Sequence, residues 1–291
     1  MANQLANCAV RLSFAAWGPL ARCHPPDLLK AVIATFEGAG LKLAHSQEKR
    51  PRPLASLAYP LPLGAEGLEE WADVTLIGRG AQSGAGPSLA VLNGHCPEGL
   101  ELLTLEQIPL HASPVEELCI SAHWRWHCPA SMIKSAKYKI GAFAESGSFT
   151  LTKGGKVDGK KATKTVEVRG LVSEIAWHGA KGSVLDFTTA IVQGHALNPF
   201  KLLGAILGIQ QETAERPQNM KRHGLPLQSA GSAENALGRL QRLRIGLKPD
   251  PRLDRHDKYA HKLRNIYEDA VLLEAGPNLV VYDEDDGLLE L

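Results

Sequence analysis

The order of patterned segments in the N-terminal third constrains the fold of this chain more than any other feature. Residues 8–14 alternate apolar and polar side chains, which predicts a half-buried strand. A helix follows from Pro25, because proline suits a first helical turn and an apolar stripe continues after it. Strands are predicted over the first half of 54–63, over 71–77 and over 100–110, with a short helix before the last. This series is the βαββαβ pattern of ferredoxin-like units.

The residues after 112 repeat this pattern less clearly. The predicted strands cover 115–128, 149–151, 166–177, 184–192 and 225–227, and the predicted helices cover 131–143 and 198–208. The second helix has a clear start, since Asn198 suits an N-cap and a proline follows it. We therefore expect an α+β protein of two tandem ferredoxin-like units, residues 1–112 and a degraded second copy over residues 113–228.

Residues 229–291 differ in character, and we interpret them as a charged, partly helical C-terminal extension. Helices are predicted over 233–243 and 257–273. Twelve Lys and Arg accompany four acids in 216–264, whereas 265–291 holds eight acids and no Lys or Arg. Either these two stretches pair within the molecule, or the basic part contacts nucleic acid. The extension is also a candidate interface for a protein partner.

Composition excludes several classes of protein. The 291 residues carry a net charge of +1, so the chain is not a uniformly basic nucleic-acid protein. The chain contains no run of about 18 apolar residues, so no membrane span is predicted. Its first residues lack the pattern of a signal peptide. The five cysteines are widely spaced, so we expect neither a disulfide framework nor a metal or cofactor site. We expect a cytoplasmic protein with reduced thiols.

A basic loop over residues 46–53 is the first candidate binding site. It carries Lys49, Arg50 and Arg52 among two prolines, which restrict the backbone and hold the cations on a stiff segment. The guanidinium group presents a fork suited to phosphate or carboxylate. The loop is therefore either an anion contact or a solvated surface connection.

The predicted strand over 120–128 is the second candidate. His123, Arg125 and His127 point to one side of it, and Trp124 and Trp126 point to the other. A sheet face of this kind resembles a nucleic-acid platform, on which tryptophans stack bases. Alternatively, the tryptophans belong to the core and the opposite face is simply wet.

Residues 134–169 form a third candidate, because they hold nine Lys and Arg and only three acids. The glycines and the Lys160-Lys161 pair in this segment suggest an extended hairpin. A basic hairpin suits RNA phosphates. The alternative is a solubilising loop.

Sequence motifs give no positive support for an enzyme. The chain has no GxGxxG after a strand, no GxxxxGK[ST], no GxSxG and no HExxH. Its carboxylate pairs are adjacent in sequence, so on a strand they face opposite ways. No acid–base pair can be identified from spacing alone.

Several motifs, taken together, resemble the radical SAM-linked protein family, a domain of unknown function. They are residues 10–14, residues 18–20, Asp27-Leu28-Leu29-Lys30, residues 39–41, Ala44-His45-Ser46-Gln47, residues 59–64, Glu70-Trp71-Ala72-Asp73 and the helix over 198–208. The resemblance extends over about residues 8–227. It implies an accessory domain that works with a radical SAM enzyme, and this chain lacks the cysteine triplet of that enzyme.

The chain departs from the family's pattern at two motifs. The family's Ser-His-Leu-Asp is His24-Pro25-Pro26-Asp27 here, and its Ser-Gln-Gly-Phe-Asn-Pro-His-Pro is replaced by residues 46–53. Both histidines are lost, which favours an accessory, non-catalytic member that contacts RNA, a protein partner or both. One alternative is an RNA-modifying or RNA-processing enzyme with a site at Asp27, His45 and Ser46. Another is a structural subunit that docks through residues 229–291.

Overall fold

A computed structural model describes residues 7–77, 88–157, 160–179, 182–192, 195–209, 237–253, 281–283 and 287–289. It shows a mixed α+β structure with few helices, dominated by one large mixed sheet.

The strands are β1 Asn7–Ala16, β2 Lys42–Leu43, β3 Ala55–Leu57, β4 Ala65–Ile77, β5 Leu100–Ile108, β6 Cys119–His127, β7 Thr150–Val157, β8 Lys160–Glu167, β9 Val172–His178, β10 Val184–Val192, β11 His195–Ala196, β12 Arg239–Leu247, β13 Val281–Asp283 and β14 Gly287–Leu289. The helices are α1 Pro25–Gly38, α2 Leu89–Asn93, α3 Val115–Leu118, α4 Ile133–Glu145 and α5 Pro199–Leu207.

Ten of the described strands form the large sheet. Its main path runs β11-β10-β6-β12-β4-β1-β5, with β2 and β3 also paired to β4, and β9 also paired to β10. The β12–β4 pairing is parallel, and the other described pairings of this sheet are antiparallel. The hairpins β7–β8 and β13–β14 are separate two-stranded sheets.

The first half of the sheet follows the predicted series of elements. Strand β1 lies between β4 and β5, and helix α1 packs its buried residues Leu28, Val32 and Phe36 into the core. Pro60 and Pro62 follow β3, and only the first half of the predicted 54–63 strand forms. The four strand positions therefore read β5-β1-β4-(β2, β3) across the sheet.

The second half of the sheet is built around β6. Strand β6 lies between β10 and β12, and β9 lies beyond β10. The predicted strand over 115–128 begins four residues late, because Pro114 opens the short helix α3 instead. Helix α5 starts as predicted, with the Asn198 Oδ1 atom accepting a hydrogen bond from the Lys201 amide at 3.2 Å.

The helix predicted over 233–243 is wrong where the structure describes it, since Arg239–Leu247 is the strand β12. Three leucines spaced at three suggested a helix, but Arg242 occupies a fully buried core position of the strand. This charged residue interrupts the alternation of apolar and polar side chains that would have indicated a strand. The predicted strand over 225–227 and the predicted helix over 257–273 lie outside the described residues.

Arg242 joins the two halves of the sheet through a buried ion pair. Its guanidinium group donates hydrogen bonds to both carboxylate oxygens of Glu70 on β4 and to the Tyr59 carbonyl. It also lies 5.4 Å from the ring centroid of Trp124 on β6. Gly67 leaves room for this pair, since a Cβ atom there would lie 2.5 Å from the Glu70 Cγ atom.

The chain divides into two compact units, one of Met1–Leu110 with Pro114–Lys248 and one of His111–Ser113 with Pro249–Leu291. In the second unit, the Asp250 carboxylate accepts hydrogen bonds from the Ser113 amide at 2.8 Å and from the Ser113 hydroxyl at 2.7 Å. The domain bounds at 112 and 228 remain predictions. Among the described residues, every helix is too short or too polar to cross a bilayer.

Candidate anion and nucleic-acid interface

Hydrogen bonds join the two ends of the basic loop over residues 46–53, here called the anion loop. The Ser46 amide donates to the Arg52 carbonyl at 2.8 Å, and the Arg52 amide donates back to the Ser46 hydroxyl at 3.1 Å. One residue further out, His45 and Pro53 form an isolated β-bridge. These bonds fix both ends of the loop against each other, so its tip is a closed turn and not a loose connection.

The tip of the anion loop presents unpaired positive charge. Lys49, Arg50 and Arg52 are exposed, and none of their side chains forms an ion pair or hydrogen bond with another described residue. Glu48 is the acid of the loop and is exposed as well. Three cations and one acid leave a local excess of positive charge, which suits a phosphate or carboxylate ligand.

Asp27, His45 and Ser46 each have a local partner. Asp27 lies in the first turn of α1 and pairs with Lys30 at 2.7 Å. The His45 Nδ1 atom lies 3.1 Å from the Leu43 carbonyl oxygen, and the Ser46 hydroxyl accepts a hydrogen bond from the Arg52 amide. These contacts do not bring the three side chains together, and a catalytic role for them stays a prediction.

Strand β6 places its polar side chains on one face, as the alternation predicts. His123, Arg125 and His127 are half-buried, whereas Trp124 and Trp126 are fully buried on the other face. The Trp124 indole donates to the Thr189 hydroxyl at 2.9 Å, and the Trp126 indole donates to the Leu237 carbonyl. The tryptophans therefore belong to the core and offer no surface for base stacking.

Arg125 is held by an acid on the next strand. It donates from Nε and from a terminal nitrogen to the two oxygens of Asp186 on β10, at 2.9 and 2.8 Å. The His178 Nε2 atom on β9 lies 2.8 Å from the same carboxylate. Burial alone would raise the pKa of Asp186, but the hydrogen bonds from Arg125 and His178 outweigh it and lower the pKa.

His123 contacts side chains on strands β10 and β9. Its Nδ1 atom lies 2.9 Å from the Thr188 hydroxyl, which donates to Glu174 at 2.5 Å. Glu174 is the one non-glycine residue with a positive φ among those described, at 53°, an uncommon conformation for its type. Burial and the charge of Arg244 lower the pKa of His123, and Glu174 opposes them.

His127 is linked through Gln241 on β12 to Glu66 on β4. Its Nε2 atom lies 3.0 Å from the Gln241 Oε1 atom on β12, and the Gln241 amide donates to Glu66 on β4 at 3.0 Å. Arg239 also pairs with Glu66. The partners Glu66, Glu174, His178 and Asp186 come from distant parts of the chain, and no local sequence signal points to them.

Lys160 and Lys161 begin strand β8 of the predicted basic hairpin. The backbone register pairs Lys161 with Lys156 and Lys160 with Val157, and Lys153 with Lys164 further along. The hairpin thus exists as an element, and its contact with an anion stays a prediction.

The cysteines are all free thiols. Burial raises the pKa of each, to about 11 for Cys119 and Cys128. Within the described residues, no group of three His, Cys, Asp or Glu side chains is arranged to hold a metal ion.

Comparison with known families gives one match for this chain. The model of a family described as an uncharacterized protein conserved in bacteria (DUF2344) matches residues 10–199. No curated protein matches. The matched segment includes the anion loop and strands β6 to β10, and it exceeds half of the 291 residues. The chain therefore belongs to this family of uncharacterized bacterial proteins, DUF2344.

Proposed function

We propose that this protein is an RNA-binding accessory protein whose anion loop contacts the phosphate backbone. The observation that carries the proposal is the tip of that loop, where Lys49, Arg50 and Arg52 are exposed and have no partner among the described residues. The hydrogen bonds between Ser46 and Arg52 already restrict the loop, so the loop loses less conformational entropy when a ligand binds.

The polar face of β6 differs from the anion loop in its charge balance. Arg125 is matched by Asp186 and Arg239 by Glu66, so these cations already have anionic partners. A phosphate would have to displace those acids, whereas at the anion loop it meets cations without a partner among the described residues. The loop is therefore the better first contact.

One further feature supports RNA as the ligand. The hairpin β7–β8 carries five lysines in residues 153–164 against one acid, Asp158. Phosphate contacts of this kind are additive in their salt dependence, so a second basic element strengthens binding. Lys160 and Lys161 belong to this second contact in the proposal.

The proposal also includes the fold interpretation of two tandem ferredoxin-like units. The four strand positions of the first half read β5-β1-β4-(β2, β3), and those of the second half read β12-β6-β10-β9. Numbered within each half, both orders are 4-1-3-2. In each half, an arginine on the first strand also pairs with an aspartate directly opposite on the third.

The partner in this proposal is a radical SAM enzyme. It is supported by the resemblance of residues 8–227 to the radical SAM-linked family, and the candidate docking segment is residues 229–291. The free thiols suit a cytoplasmic setting. Deletion of residues 249–291, which spares β12, should abolish co-purification with such a partner if this segment docks.

Fluorescence anisotropy with a labelled single-stranded RNA tests the proposed function. The variant Lys49→Ala/Arg50→Ala/Arg52→Ala should bind about a hundredfold more weakly at 0.1 M salt, if each cation neutralises one phosphate. The RNA should carry 2′-O-methyl groups, so that binding is measured without any cleavage. Circular dichroism should show an unchanged fold, because the three side chains are exposed.

A matched control removes the same charge elsewhere. Lys134, Lys201 and Lys248 are also exposed lysines, and their triple alanine variant should bind RNA within about threefold of the wild type. Equal losses in the two variants would show non-specific attraction. Unchanged binding in the anion-loop variant would refute the proposal, and a stoichiometric protein partner without RNA would favour the protein-docking alternative.

A further inference from the structure

Two histidines of the polar face lie in one row across the sheet. Val184 on β10 is directly opposite His127 on β6 and directly opposite His178 on β9. Residues opposite one another share a face, so both imidazoles lie on the side of Arg125. Two strand spacings put their Cα atoms about 10 Å apart, with Val184 between them on the same face.

Arg125 and Asp186 form the neighbouring row, and Asp186 orients the ring of His178. Arg125 and Asp186 are directly opposite each other, two residues along from the histidine row. The Asp186 carboxylate holds the Arg125 guanidinium at 2.9 and 2.8 Å and the His178 Nε2 atom at 2.8 Å. The ring of His178 is thereby oriented by an anion, and Arg125 is fixed beside the row.

Hydrogen bonding assigns the protons of both rings. The Gln241 amide nitrogen donates to Glu66, so its carbonyl oxygen faces the His127 Nε2 atom, and that nitrogen must be the donor. In a neutral His127 ring, Nδ1 therefore carries a lone pair. The His178 Nε2 atom donates to Asp186, so a protonated His178 ring has a second N–H at Nδ1.

We propose that this row is a catalytic site for RNA phosphodiester cleavage, with His127 as general base and His178 as general acid. His127 Nδ1 takes the proton of a ribose 2′-hydroxyl. The 2′-oxygen forms a bond to the adjacent phosphorus as the bond from phosphorus to the 5′-oxygen breaks. His178 Nδ1 gives its proton to the leaving 5′-oxygen. The products are a 2′,3′-cyclic phosphate and a 5′-hydroxyl end, with no further reactant needed.

Both imidazoles are accessible to such a substrate. His178 is exposed, with 42% of its side chain accessible, and His127 is half-buried. Arg125 keeps 36% of its side chain accessible beside the row, and Asp186 balances its charge. The inference rests on the proposed function insofar as RNA is the substrate, while its site is separate from the anion loop.

The test is cleavage of a short single-stranded RNA, with detection of the cyclic phosphate by mass spectrometry. His127→Gln and His178→Gln should each lower kcat/KM by at least a hundredfold, the usual range for removing a general acid or base. His24→Gln is the matched control, since His24 is exposed and its side chain makes no capping bond. The wild type should show a bell-shaped pH profile, because one ring must be neutral and the other protonated.

A substrate with one 2′-deoxy position gives a second, independent check. Cleavage should stop at that linkage alone, because the attacking oxygen is missing there. Absence of cleavage by the wild type, cleavage at the deoxy linkage, or a wild-type rate in either glutamine variant would overturn the inference. Binding of 2′-O-methyl RNA is measured separately, so RNA that binds but is not cleaved would refute this site and leave the proposed function standing.

Discussion

The two halves of the sheet contain the same arginine–aspartate pair in different surroundings. Arg11 on β1 donates to both oxygens of Asp73 on β4 at 2.8 and 2.9 Å, and Arg125 makes the same two bonds to Asp186. The exposed side-chain fractions are 8% and 18% in the first pair, but 36% and 28% in the second.

The residues beside each pair differ in burial in the same direction as the pairs themselves. On β1, Ala9 and Ser13 flank Arg11 and are buried, whereas on β6 His123 and His127 flank Arg125 and are half-buried. The third partner of Asp73 is the Val115 amide, and that of Asp186 is the titratable His178. The same geometry is thus nearly buried in the first half and partly accessible to solvent in the second.

Loss of the ion pair between the halves should have the largest effect. Arg242→Met leaves the Glu70 carboxylate buried without a cation, which should cost about 3–5 kcal/mol of unfolding free energy. Urea denaturation measures this loss. The double variant Arg242→Met/Glu70→Met should recover most of the stability, because no buried charge remains. A single variant as stable as the wild type would show that the pair does not hold the halves together.

The two arginine–aspartate pairs can be compared directly. Arg11→Met should cost about 3 kcal/mol, because Asp73 loses its cation in a nearly buried site and keeps, among the described residues, the bond from the Val115 amide. Arg125→Met should cost less than about 1 kcal/mol, because its pair is partly solvated. Both are measured by urea denaturation under the same conditions. Equal costs would remove the distinction between the two halves.

The smallest expected effect is a pH dependence that involves the second half. The pKa of His123 is lowered in the folded state, so the unfolded chain binds its proton more tightly. Stability should therefore be complete above about pH 6.5, the ordinary value, and should fall as the pH drops toward the folded pKa. His123→Gln should lose less stability than the wild type between pH 7 and pH 5.5. An identical loss would show that His123 does not contribute.

The sequence predicts local features of this protein better than distant ones. Alternation placed His123, Arg125 and His127 on one face, and the two prolines correctly ended the strand that precedes Pro60. Partners such as Asp186 and His178 lie more than 50 residues from Arg125, and only the strand register brings them together.

Strand β12 shows why the remainder was missed. It joins the two halves, yet its buried Arg242 interrupts the apolar pattern that would mark a central strand. The arginine is compatible with the core because Glu70 and the carbonyls of Tyr59 and Pro60 accept its hydrogen bonds. Such compensation depends on residues about 170 positions away, which periodicity does not report.

The salt dependence of RNA binding tests the central claim most directly. The logarithm of the binding constant should fall linearly with the logarithm of salt concentration for both the wild type and the Lys49→Ala/Arg50→Ala/Arg52→Ala variant. The slope should be shallower by about 2 in the variant, since three phosphate contacts of about 0.7 each are lost. The same slope in both proteins would contradict the proposed function, because the anion loop would then make no contact with phosphate.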